Sequence, residues 1–144
     1  MTAAAVLYTP EVLALATSLA GWPWDDSLPL AGDARSRSCG SSLRLGLELD
    51  AAGRIARIGL KAQACAIGQA AAAVFAAQAH GKGALEIATA HEAMAAWLAG
   101  EAPLPDWPGL AAIAPAREYP GRHGAIMLAW NVARELLPTG GMAR

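Results

Sequence analysis

The chain has 144 residues, enough for one compact domain with its own core and too few for two comfortable ones. Apolar residues make up 55% of it, but much of that share is alanine, so the core is expected to come from closely packed elements with small side chains. Eleven basic and twelve acidic residues give a net charge of -1, with no basic tract and no aromatic residues interleaved with Lys or Arg, which argues against nucleic acid as a partner.

In chain order, Thr9-Pro10 is a helix start, with Thr as N-cap and Pro at the first helical position. Val12, Leu15, Ala16 and Leu19 repeat at helical spacing up to Gly21, which predicts a short amphipathic helix. The stretch GWPWDDSLPLAGDARSRS is rich in Pro, Gly and Asp and reads as loop, or at most a short irregular strand crossing the molecule. From Ser42 the period becomes two. Leu43, Leu45, Leu47 and Leu49 alternate with Ser42, Arg44, Gly46 and Glu48, and after the turn Asp50-Ala51-Ala52-Gly53 the alternation resumes through Ala56, Ile58 and Leu60. This is an antiparallel hairpin with one buried face.

Past Cys65 the composition turns to alanine, and Ile67, Ala70, Ala71 and Val74 share a stripe until Gly81 and Gly83, which predicts a second helix over residues 67–79. Residues 62–79 carry no formal charge, but Gln63, Gln69 and Gln78 interrupt them and alanine has little transfer free energy. The expectation is therefore a buried helix of a soluble protein, not a membrane span. A third helix over residues 84–99 is predicted from Leu85, Ala88, His91 or Glu92, Ala95 and Leu98. The proline-rich segment after Gly100 allows one short helix near Pro108 to Ala114, before Pro115 and Pro120. Ile126, Ala129, Trp130, Ala133 and Leu137 mark a last helix ending before Pro138.

Strands and helices do not alternate as a parallel sheet requires. The expected class is α+β, a small antiparallel sheet of about three strands with helices packed on one face. The opening MTAAAVLYTPEV lacks a charged leader and an apolar core before a cleavage site, so the expected compartment is the cytoplasm, where two cysteines are thiols or metal ligands rather than a structural disulfide. Cys39 precedes the first hairpin strand and Cys65 follows the second. Since the outer ends of a hairpin are adjacent, both should lie at one end of the sheet.

LYTPEVL, CGS before the hairpin, CAIG at a helix start, HGKG after that helix and RHGAIMLAW at the last helix together resemble the NifU/IscU/SufU family of iron-sulfur cluster assembly scaffolds. The match runs in order over nearly the whole chain, and the long spacing between CAIG and LAW is similar to the SufU branch. The resemblance implies a site of three cysteines and usually an aspartate. Carried over by position, the cysteines are Cys39, Cys65 and, where this chain has alanine, Ala125; the aspartate position is Ser41. In the IscU branch a histidine immediately precedes the third cysteine, whereas here Gly124 stands there and His123 lies one place earlier. The frame is kept with half of the ligands. A structural zinc site and a [2Fe-2S] cluster each need about four ligands. His123 could complete the site, with Ser41 a weak ligand, or two subunits could share a cluster through their cysteine pairs. Alternatively no metal is bound.

Other residues have simpler readings. His80 before Gly81 suits a helix C-terminus, His91 reads as an ordinary helix residue, and Arg122 occupies the arginine position of the resemblance. Trp22, Trp24 and Trp107 in proline-containing loops are read as plugs at the core edge. No Ser-His-Asp order, phosphate loop or paired carboxylates point to an enzyme. The expected role is a non-enzymatic scaffold or carrier with an iron-sulfur cluster or zinc as its cargo and a cysteine desulfurase or other assembly protein as partner. The alternatives are a metal-free paralogue that binds or regulates such a partner, and a thiol relay passing persulfide sulfur between Cys39 and Cys65.

Overall fold

The computed structural model describes residues 7–37 and 40–138. Among them the order is α1 (Pro10–Ser18), a 3-10 turn (Leu19–Gly21), β1 (Leu30–Arg35), β2 (Ser42–Leu49), β3 (Ile55–Gln63), α2 (Ala66–Ala79), α3 (Ala84–Leu98), 3-10 segments Leu110–Glu118 and Pro120–Arg122, and α4 (His123–Leu136). The sheet is antiparallel in the order β1-β2-β3. The α+β expectation holds, with β1 a regular strand where the sequence suggested loop or an irregular strand.

Local chemistry accounts for the element ends. Thr9 Oγ1 accepts the Val12 N–H at 3.1 Å, the N-cap predicted for α1. The hairpin turn is held by Asp50, whose Oδ1 accepts from the N–H groups of Ala52 (2.9 Å) and Arg54 (3.0 Å). α3 begins with Glu86 Oε1 accepting from the Gly83 N–H at 3.0 Å and from Arg54 at 2.9 Å. These two contacts hold the Glu86 carboxyl below the usual glutamate range, the backbone N–H contributing more.

The hairpin buries Leu43, Leu45, Leu47 and Leu60 as the alternation predicts. At its turn end the expectation fails by one residue. A bulge pairs Leu49 with Ile55 and skips Ala56, so Ile55 is the buried residue there.

α4 packs on β1 and β2, and α2 is enclosed by α1, α4, β3 and the first 3-10 segment after α3. Ala70 to Ala73, Val74, Phe75 and Ala76 are all buried, and their small side chains let neighbours approach from every side. Phe75 stacks on Trp107 (5.6 Å between centroids), and Trp130 meets both edge-on at 5.3 and 5.4 Å. Trp107, read as a plug, donates its Nε1–H to the Val74 carbonyl at 2.9 Å.

α3 buries only part of the expected stripe, Ala88 and Leu98, and turns a rotated face inward. Ile87, Ala88, Met94, Trp97 and Leu98 are buried, while Leu85 is 73% exposed and Ala95 is also exposed. Alanines all around α3 left its period ambiguous, and the large side chains chose the face. Pro115 does not end the helix near it. The segment continues as 3-10 turns to Glu118, with Tyr119 N–H bonding to Ala116. No helix among the described residues is long and apolar enough to cross a membrane.

The opposite face of the sheet is partly covered by the segment before β1. Gly46 and Gly59 pair directly, and Leu28 lies over both. A Cβ on Gly59 would come within 2.9 Å of the Pro23 carbonyl oxygen and 2.8 Å of Leu28. Replacing a strand glycine by alanine gains about 0.5–1 kcal/mol of backbone entropy, but overpacking against fixed backbone costs about 1–3 kcal/mol. Gly59→Ala is therefore expected to lower stability in urea unfolding; a rise would mean that segment 22–28 yields freely.

Candidate functional site

Strand register builds the site end of the sheet. Arg35 pairs with Ser42 and Ser42 with Gln63, so the loop 36–41 and the β3–α2 junction leave the sheet side by side. The loop is closed at its foot, where the Ser36 N–H donates to Ser41 at 2.7 Å and Gly40 N–H to Ser36 at 3.2 Å. Gly40 has φ +73°, the left-handed conformation that glycine adopts without strain. Cys39 belongs to this loop in sequence but lies outside the described residues.

Cys65 is the N-cap of α2, with extended backbone (φ -64°, ψ 169°), half-buried and unpaired with any other cysteine among the described residues. Its carbonyl accepts the Gln69 N–H at 2.9 Å, and the Gln69 side chain donates to the Ala64 carbonyl at 2.8 Å. The junction is thus fixed on both sides of the thiol.

Position 125 falls beside it. Ala125 is 1% exposed, and a Cβ placed on Gly68 would lie 3.2 Å from the Ala125 Cβ and 2.8 Å from that of Ala64. The start of α4 therefore rests on the first turn of α2, the turn that Cys65 opens. Sequence reasoning placed Ala125 by counting but missed the part of Gly68, whose absent side chain permits this contact.

The two weaker candidates are placed differently. Ser41 is buried, at 4% exposure, within the closed loop. His123 is the first residue of α4, and its Nε2 is 2.7 Å from the Arg117 carbonyl oxygen, so that nitrogen donates and is engaged. Its ring borders a cleft between α3 and α4 with His91, Leu98 and Met127. Neither Cys65 nor Ser41 lines that cleft. Among the described residues no three His, Cys, Asp or Glu side chains gather as a metal-ligand group. From those residues alone, one chain does not close a four-ligand shell around a cluster or zinc.

The remaining histidines have structural partners or positions. His91 Nε2 donates to Asn131 at 2.7 Å and its Nδ1 accepts from Arg134 at 2.9 Å, while His80 is the C-cap of α2. Arg122 donates to the Tyr8 hydroxyl at 3.0 Å, joining the LYTPEVL segment to the start of α4.

The comparisons with known proteins agree with this frame. The family model described as NifU-like N terminal domain matches residues 22–106, more than half of the chain. A NifU-like N-terminal protein from Brucella abortus has the same fold, with a TM-score of 0.84 at 23% identity over 94% of both chains. A protein described as an iron-sulfur cluster assembly scaffold for the SUF system, from Fervidobacterium islandicum, superposes with a TM-score of 0.80 at 18% identity, covering 90% of this chain and 96% of its own. No curated protein matches the sequence. With the domain match over the sheet, α2 and α3, and the motif frame continuing to α4, the chain belongs to the NifU-like N-terminal domain family of iron-sulfur cluster assembly scaffolds.

Proposed function

We propose that the protein is a cytoplasmic, non-enzymatic scaffold or carrier of the SufU-like kind, which holds an iron-sulfur cluster or a metal ion as cargo through two thiolates, Cys39 and Cys65. The observation that carries this reading is the seating of Ala125 against Gly68 in the first turn of α2. It supports the reading because position 125, where the resemblance implies a third cysteine, lies against the turn that Cys65 opens, and this chain has alanine there. Two thiolates hold a cluster weakly in one chain; two chains facing each other supply about four, the number a [2Fe-2S] cluster needs. A homodimer sharing one cluster is accordingly the favoured loaded form.

The engaged His123 ring favours a second reading, a metal-free paralogue that keeps the frame to bind a cysteine desulfurase or another assembly protein. Iron and acid-labile sulfide per chain, measured with absorption spectra on anaerobically purified protein at several concentrations, separate the two. About half a cluster per chain, appearing with dimer, is the expected result of shared ligation by four thiolates. Metal-free protein at every concentration after reconstitution overturns the first reading and leaves the second.

A further inference from the structure

The sheet face turned away from α2 and α4 is divided by charge along its strands. Toward the hairpin turn it is neutralised and covered: Arg57 pairs with Glu48 and, at 3.0 Å, with Asp25, and segment 22–28 lies over the paired glycines. Toward the end next to the β3–α2 junction it is open. There Arg44 stands directly across the strands from Lys61, and Arg35 lies one row further on, next to Ser42 and Gln63. These side chains line a shallow groove with Asp33, its one acidic lining residue, whose carboxylate is 3.8 Å from Arg44 Nε. The Arg44 guanidinium also lies 4.8 Å above the Trp24 ring. Arg35 and Lys61 are exposed and form no ion pair among the described residues, and Arg37 in the adjoining loop adds another exposed cation.

Two cations directly opposite on an antiparallel pair destabilise it. Nothing in the fold requires them, because exposed strand positions accept almost any polar side chain. In a chain of net charge -1, this concentration of cations at one end of one face is a local conflict of the kind found where a surface serves binding. It complements anionic groups set along an extended segment, and it borders the chain leading to Cys39 and the β3 end leading to Cys65.

We propose that this groove docks a carboxylate-rich segment of a partner protein, seating it at the sheet end next to the β3–α2 junction and Cys65. That the partner is an assembly protein rests on the scaffold reading; the docking itself rests on charge and register. The patch offers fewer cations than the roughly 6–10 phosphate contacts a nucleic-acid interface commonly makes.

Fluorescence anisotropy of the full-length protein with a labelled deca-glutamate peptide at low salt tests the proposal, with a labelled single-stranded oligonucleotide in parallel. Binding of the peptide is expected to weaken about tenfold in Lys61→Glu and to change less than about twofold in Lys82→Glu, the same charge change placed over Trp107 instead. The thermal midpoint of Lys61→Glu should not fall, since the new carboxylate faces Arg44. No peptide binding by the wild-type chain, equal losses in both variants, or tighter binding of the oligonucleotide overturns the proposal. Wild-type protein that binds the peptide but never holds iron or sulfide sinks the scaffold reading and leaves the docking surface standing.

Discussion

Ala125→Cys is expected, on the proposed scaffold reading, to convert a weak two-thiolate site into one that retains metal in a single chain. The position lies against the first turn of α2, which Cys65 opens, so the added sulfur enters the neighbourhood of the Cys65 thiol. Apparent binding energies of complete four-ligand zinc sites are about 10–16 kcal/mol, or roughly 3 kcal/mol for each ligand, which corresponds to about two orders of magnitude in affinity. Against this stands the crowding of a residue that is 1% exposed; one added sulfur there costs about 1 kcal/mol or somewhat more. The gain exceeds the cost. Zinc affinity by competition with a chromophoric chelator, at protein concentrations where the chain is monomeric, gives the answer. An affinity equal to wild type would show that position 125 does not face the cysteines. Adding Cys65→Ser to the variant should cancel the gain.

Trp130→Ala should bring the chain close to unfolding. Trp130 has no exposed surface and closes the aromatic cluster with Phe75 and Trp107 at the place where α2 and α4 meet. Large-to-small replacement of a buried tryptophan costs about 3–5 kcal/mol, a large part of the roughly 5–15 kcal/mol that holds a domain together. For a chain of this length the melting temperature should fall by about 10–20 °C. Trp130→Phe should cost much less. It keeps most of the ring, and it removes an indole N–H that is buried without a hydrogen-bond partner among the described residues, a group whose burial costs about 1–3 kcal/mol. Equal losses in the two variants would mean that the N–H has a partner, such as an internal water.

The sequence by itself determined the elements whose signals are local. Thr9-Pro10 started α1 because a side-chain oxygen and a fixed φ act within one turn. The leucines of β2 announced a half-buried strand through their period of two, and glycine and proline marked most element ends. The motif frame, with Cys39, Cys65, Ala125, Ser41 and His123 as its candidate positions, was legible because it depends only on residue order. Tertiary packing decided the rest. Whether residues 30–35 formed a strand depended on pairing with β2, since their own composition of Gly, Asp and Ala is a poor strand signal. The face that α3 buries followed Ile87, Met94 and Trp97 rather than Leu85, because alanine is acceptable on every side of a helix and carries no direction. One bulge decided that Ile55 and not Ala56 enters the core. At the site, counting residues located position 125, but only the approach of α4 to α2 put it against Gly68 beside Cys65. Only strand register set Arg44 across from Lys61. A sequence records what each residue favours within a turn or a strand; which distant residues touch is settled by how the apolar faces close on one another.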